Sequence, residues 1–582
     1  MKSADYWIIT APGGSGLKHA VARLVGDLTR LSGRKDMVIA QDVEDELCAL
    51  ARRKGLISET APSMLDVTYK LQREQVIRLW GEAFDISISK LADSRAKSKL
   101  LSCHLTLYGG RRREYYSPID VKRLVASGLQ PSRLLLLVDD AFDMFARLTQ
   151  PGYLHDFGDS DYVDEMASQE GITSPVAVKS VRPQLKLQWQ IATLSSLLAW
   201  RRADMIMAES IARQANSKYL AFGVKQLTGI ATTWLSEAEP EPIYLSHPIS
   251  RPRRDPKWPR VDLVDQFNEL QSGMAPHGAL CIMPTSIDEY RFKRRKERGR
   301  PMARLEPRLA ERWPIPTQLP LTDGPSDYRD TLYAAPPSGP KLPNLFEHRN
   351  VDSLAADSWL RSFEGQVSAD ISFRDHHLVA CCPHLLVFRP LYRAGMFSRG
   401  VRAEIAHWQL LASDRLSGAT RRAVFVHFRE DLAEVKTIAK DSIRRSVLQH
   451  LELGLTEIGI ARESARHIVR VVGRDDPGRS LLDTGPISPP ERRAANRQWP
   501  KVRKAALLVT AWEQLTSMVT DDASATIETQ VAIWIVDDRA QLRRELPRVA
   551  AFLRRTQPAP TRWKALTAGF LDIAGIPPTL RI

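Results

Sequence analysis

Cysteine is scarce in this chain: Cys48, Cys103, Cys281, Cys381 and Cys382 are the only five among 582 residues. None belongs to a C-x-x-C pair, which argues against a zinc site of that type and against a disulfide framework. A reducing, cytoplasmic compartment is the expectation. Long apolar runs are missing as well. No stretch approaches the roughly 20 residues of a membrane-spanning helix, and YWII near the start is too short for a signal-peptide core, so no membrane partner is expected. Histidines lack ligand spacing: His376 and His377 are adjacent and cannot both face one ion from a helix, and neither His247 nor His384 has an i, i+4 partner. No metal site is expected, and no internal repeat of fixed period is present.

What the chain has is length and positive charge. At 582 residues it is too long for one core. Its net charge of +15 suits nucleic acids, nucleotides or anionic membrane surfaces. The charge is uneven: RFKRRKERGR, 291–300, holds seven basic residues and one Glu. Such runs are usually solvated loops, with nucleic-acid binding as the alternative.

Strand-like and helical patterns alternate through most of the chain. DYWIITAP, 5–12, runs into a glycine turn and then a helix with apolar residues at helical spacing. The unbroken apolar run at 134–138 is a strand of a parallel sheet buried on both faces, ending in Asp139 and Asp140. Helices are expected at 68–94 and 184–202, and a last strand at 219–227. SEAEPEP, from 236, separates a second α/β unit beginning at Ile243, with an apolar strand that ends in a turn within 242–250, strands at 278–284, 384–390 and 422–428 and a helix at 261–274. Prolines crowd 299–345, which reads as an insertion or lid with little regular structure. The expected fold is α/β, with two Rossmann-like parallel-sheet domains at 1–235 and 243–430 and a mainly helical C-terminal region at 432–582 that includes the strand-like run 530–538.

In APGGSGLKHA the glycines at 13, 14 and 16 with Ser15 suit a backbone curling round phosphate at a helix start. Together with LLSCHLTLYGG, 100–110, and LLLLVDD followed by Arg147, this opening resembles the P-loop of adenylate-kinase-like nucleoside and nucleotide kinases over roughly the first 230 residues. The resemblance implies ATP or another nucleotide with magnesium as ligand of Gly13, Gly14, Ser15, Gly16 and Lys18. The family places Gly-Lys-Ser or Gly-Lys-Thr at the end of the loop, whereas Gly16 is followed by Leu17, Lys18 and His19. The lysine is displaced by one position, about 100° round a helix, and no hydroxyl stands at the metal-ligand position, so kinase activity is not expected. Asp139 and Asp140 suit magnesium or, equally, helix capping.

PIYLSHPIS, 242–250, and SRGVRAEIAHW, 398–408, read as two edges of one nucleotide-sized site, the first with Tyr244, Ser246 and Pro248 and the second with Gly400 and Glu404. Between them ADISFRDHHLV places Asp375 before an apolar helix face. A glutamate at a helix start with a second acid fits chemistry at a glycosidic carbon. These segments, with GALCIMP at 278–284, resemble the nucleoside 2-deoxyribosyltransferases and the related deoxynucleotide N-glycosidases. The resemblance implies that Glu404 attacks C1′ of the sugar, that Asp375 assists protonation of the leaving base, and that Tyr244 positions the glutamate or the sugar. Arg251, Arg253, Arg254, Arg389, Arg393, Arg399 and Arg402 flank these segments and favour a phosphate-bearing ligand.

The functional expectation is an enzyme that cleaves or exchanges the N-glycosidic bond of a nucleoside or nucleotide, serving as a bacterial antiphage effector. Two alternatives stand beside it: a non-catalytic nucleotide-sensing or scaffold protein, and a nucleic-acid-binding protein that uses 291–300. A homo-oligomer or a protein partner is compatible with each.

Overall fold

A computed structural model describes residues 5–32, 38–57, 67–109 apart from 69, 114–126, 131–148, 164–236 apart from 165, and 241–249. It further describes 260–305 apart from 288, 290, 291, 298 and 299, and then 353–390, 398–413, 421–428 and 530–554. The fold is α/β, with two parallel-only sheets and surrounding helices. By its internal contacts the chain divides into two compact units. The first holds residues 1–245 and 249–383, and the second 246–248 and 384–582. The stretch 236–243 therefore lies inside the first unit.

The first sheet joins β1 (Asp5–Thr10), β2 (Val38–Asp42), β3 (Ser98–Ser102), β6 (Arg133–Val138) and β7 (Lys218–Gly223) in the order β2-β3-β1-β6-β7. Every pairing is parallel, with Ile8 opposite Leu101 on one side and Leu134 on the other. All six residues of β6 are buried, as expected of a central strand covered on both faces. Between β3 and β6 lie a small hairpin, β4 (Leu107–Gly109) with β5 (Glu114–Tyr116), and helix α4 (Val121–Ala126). The earlier helices are α1 (Leu17–Ser32), α2 (Val43–Arg53) and α3 (Arg73–Asp93).

After β6 come α5 (Ala141–Leu148) and α6 (Pro175–Gln214), a 40-residue helix. The expected helix at 184–202 is thus too short at both ends. The pattern suggested a start beyond Pro183, but the helix begins with Pro175 in its first turn and runs through Pro183. It continues past 202 because Met205, Ala208, Ile211 and Ala212 prolong its buried stripe.

Next in the chain are α7 (Leu227–Ser236), β8 (Glu241–Ser246), α8 (Arg260–Met274) and β9 (Ala279–Ile282). Gln226, just past β7, holds β9 to the first sheet's edge: its amide donates to the Cys281 carbonyl at 2.9 Å and accepts from the Met283 N–H at 3.0 Å. The basic run is not a loop. It forms β10 (Phe292–Glu297), which pairs antiparallel with β11 (Arg300–Leu305). Phe292 anchors the hairpin in a core shared with α5, α6 and helix α9 (Ser353–Cys381), its ring 5.2 Å from that of Phe363. Arg294 pairs with Asp357 at 2.7 Å and Glu364 at 3.2 Å, so one cation of the run belongs to the fold's own ion pairs. The first six residues of the proline-rich segment's 300–345 portion are therefore strand, and 306–352 lie outside the described residues.

The remaining parallel strands pair within each unit. β8 and β9 pair in the first. β12 (His384–Phe388), β13 (Arg422–Phe428) and β14 (Gln530–Val536) pair in the second, with α10 (Arg399–Ser413) and α11 (Arg539–Leu553). β14 matches β13 over its whole length, so the C-terminal region contributes a sheet strand and a covering helix whose Leu542, Leu546, Val549 and Leu553 are buried. Residues 429–529 and 555–582 lie outside the described residues. Among the described residues no helix is long and apolar enough to cross a membrane.

Candidate functional site

Ile243, Tyr244 and Leu245 on β8 are fully buried, and Ser246, His247 and Pro248 continue the buried stretch past the strand end. Side chains alternate along a strand, so Tyr244 and Ser246 leave β8 on the same face. The partner of Ser246 is 158 residues away: its hydroxyl donates to Glu404 Oε2 at 2.5 Å. Both residues lie in the second unit and both are buried, Ser246 at 0% and Glu404 at 5% exposure.

Glu404 occupies an unusual place for a carboxylate. Helix α10 buries Val401, Ile405 and Trp408, and Glu404 falls on that same stripe. A charged group on an apolar helix face needs hydrogen-bonded compensation, and the Ser246 hydroxyl supplies part of it. The helix start differs from the expectation of a glycine turn. Ser398 caps it by accepting the Val401 N–H at 3.2 Å. Gly400 is helical and exposed, and a methyl group there would meet nothing within 4 Å. Burial pushes the His247 imidazole down to about 3, so it is neutral at physiological pH.

Of the flanking arginines, Arg389 stands at the end of β12 with φ of 46°, a left-handed conformation that is uncommon outside glycine. Its N–H reaches the Val426 carbonyl at 2.9 Å and its guanidinium lies 4.3 Å from the Phe428 ring centre. Arg251, Arg253, Arg254 and Arg393 lie outside the described residues.

Asp375 is not at a helix start or in a loop. It lies deep in α9, in the first unit, and its Oδ1 accepts two bonds from Arg374, at 3.0 Å from Nε and 2.8 Å from Nη2. Arg374 in turn reaches Glu289 Oε2 at 2.9 Å and the Ile287 carbonyl at 3.1 Å. Glu289 also receives both guanidinium nitrogens of Arg201, and Arg201 pairs with Asp370. Burial alone pulls the Arg201 pKa down, but the Glu289 and Asp370 carboxylates outweigh it and the net shift is upward. These five side chains are at most 3% exposed, and they carry no motif. The available sequence signal is spacing: Asp370 and Arg374 continue the i, i+3/i+4 series of Leu360, Phe363, Val367 and Ile371, so the helix face that looks apolar turns ionic.

The glycine loop has the expected backbone, with Gly14 at φ 82° and Gly16 at φ 69°. Its surroundings are side chains of the chain itself. A methyl at Gly13 would stand 2.0 Å from the Trp200 ring, and one at Gly14 would stand 2.7 Å from Leu148. Trp200 is fixed by its Nε1–H, which donates to Thr106 Oγ1 at 2.9 Å, and the Thr106 hydroxyl donates to buried Asp204. Burial pushes the Asp204 carboxyl up to about 8 against the opposing effect of that hydrogen bond. Ser15 is buried. Lys18 is turned outward to Asp45, 2.7 Å away, with both side chains more than half exposed. The Asp140 side chain accepts the Phe142 N–H at 2.8 Å, a cap on α5, while Asp139 accepts the Asp140 N–H.

A cavity of about 710 Å³ is lined by Asp164, Ile172, Thr173, Val178, Lys179 and Arg182 among others, none of them a residue of either candidate site. Among the described residues no group of three or more His, Cys, Asp or Glu is placed to hold a metal. No family model matches the chain, and no curated protein matches it.

Proposed function

We propose that the unit containing Ser246 and Glu404 cleaves or exchanges the N-glycosidic bond of a nucleoside or nucleotide. The observation that carries the proposal is the 2.5 Å hydrogen bond between them, which brings the two separated segments into one buried constellation. Glu404 acts as the nucleophile at C1′ of the sugar. Its attack displaces the base, and water or a second base then releases the glycosyl intermediate, giving hydrolysis or transfer. Ser246 fixes one carboxylate oxygen. The leaving base takes its proton from water; Asp375, to which the resemblance gives that role, is bound by Arg374 within the first unit. Such an activity suits an antiphage effector that destroys nucleotides.

Purified protein incubated with mixed nucleosides and nucleotides is expected to release free bases, resolved by chromatography. Glu404→Gln, which keeps size and removes charge, is expected to lower release by several orders of magnitude with melting unchanged. Release at the wild-type rate by the folded variant would end the proposal.

A second reading concerns the first unit. The packing of Trp200 on Gly13 and of Leu148 on Gly14, with Lys18 turned to Asp45, supports a scaffold role in place of phosphoryl transfer.

A further inference from the structure

We infer that Glu289 is an intramolecular ligand: its carboxylate fills an oxyanion site at the carboxyl edge of the first sheet. The location follows from topology. The chain lays β2 and β3 on one side of β1, and β6 and β7 on the other. Doubly wound sheets bind ligands outside the carboxyl ends of the strands at such a reversal. Here that edge carries the glycine loop after β1 and Asp139–Asp140 after β6.

The donor set around Glu289 is one that recognises an oxyanion. The Ala141 N–H, which opens α5, donates to Oε1 at 3.0 Å. Arg201 forms a fork, Nη1 to Oε1 and Nη2 to Oε2, the second at 2.9 Å, and Arg374 Nη1 adds a bond to Oε2 at 2.9 Å. A helix start with two guanidinium groups is the arrangement that holds a carboxylate or phosphoryl group. Each guanidinium is independently anchored: Arg201 by the Asp139 carbonyl at 2.9 Å and by Asp370, Arg374 by the Ile287 carbonyl and Asp375. Glu289 is 1% exposed and arrives from the chain between β9 and β10. Trp200, next to Arg201 on α6, covers Gly13, so two consecutive residues of one helix occupy both parts of the edge.

The test uses the full chain with Glu289→Ala, which vacates the carboxylate, and Glu289→Gln, which keeps its volume. Glu289→Ala is expected to melt well below wild type in chloride. Excess formate at matched ionic strength should recover much of that loss, because a ligand of the folded state stabilises by mass action. Wild type and Glu289→Gln should not respond to formate. Equal melting of Glu289→Ala in formate and chloride would overturn the oxyanion site. Should Glu289→Ala fail to accumulate in folded form, lysis and refolding with formate becomes the readout: recovery in formate but not in chloride supports the site, and failure in both overturns it.

Discussion

Gly13→Ala separates the two explanations of the glycine loop. Gly13 is not among the residues with positive φ, so alanine brings no left-handed strain. Its effect on the unfolded chain would on its own stabilise by about 0.4–1 kcal/mol. Against this, the new methyl carbon would stand 2.0 Å from Trp200 Cη2 and 2.7 and 2.8 Å from Cζ3 and Cζ2. Carbon atoms pack at roughly 3.5–4.0 Å, so the indole must retreat by about 1.5 Å. It is poorly placed to do so, being 5% exposed and tied through Nε1 to Thr106. Overpacking of this kind costs about 1–3 kcal/mol, and breaking the indole hydrogen bond in a buried site adds about 1–3 kcal/mol. The net expectation is a loss of about 1–6 kcal/mol, read as a fall in melting temperature of several degrees. In a Trp200→Leu background the same substitution should cost far less, and the difference is the coupling energy of the pair. Wild-type melting of Gly13→Ala, with nucleotide affinity lost instead, would refute the packing account and return the loop to phosphate.

Ser246→Ala should lower the rate of base release about 10–100-fold at unchanged KM, the equivalent of roughly 1.5–3 kcal/mol for a hydrogen bond to a charged acceptor. An unchanged rate would remove Ser246 from the site. Asp204, raised from an ordinary carboxylate value to about 8, binds its proton more tightly folded than unfolded. Its contribution to stability is fully present near pH 4 and below and is lost as pH rises through 8, at about 1.4 kcal/mol per pH unit while it alone titrates. Asp204→Asn keeps an acceptor for Thr106 and should flatten the fall in melting temperature between pH 5 and pH 8; identical pH profiles for the two proteins would refute the assignment.

What could be read from the chain differs from element to element for physical reasons. The strand at 134–138 was legible because a central parallel strand is apolar on both faces, and the structure extends it by a single residue to Arg133. The segments of Ser246 and Glu404 were legible as a strand end and a helix, and one hydrogen bond joins the two side chains. The setting of Asp375 was not. ADISFRDHHLV looks like a polar approach to an apolar helix, because hydropathy scores Arg374 and Asp375 as surface residues. Their burial depends on charges that the chain supplies from Glu289 and Arg201, 85 residues or more away. Pattern reading weighs each segment alone and cannot cancel charge between segments.

The glycine loop shows a different limit. A glycine is demanded wherever a Cβ has no room, and the chain alone does not say whether a phosphate or an indole takes the space. What distinguishes the two is the fate of the neighbouring charges. A loop built for phosphate turns its lysine inward and leaves the carboxyl edge of the sheet open to a magnesium-bound anion. In this protein Lys18 pairs outward with Asp45, Asp140 caps α5, and the oxyanion at that edge is the carboxylate of Glu289. Lys18, the Ala141 N–H, Arg201 and Arg374 are thus paired with groups of the same chain. The two arginines at its core are held by acids from α9 and from the segment before β10, so these contacts also tie α6, α9 and that segment together.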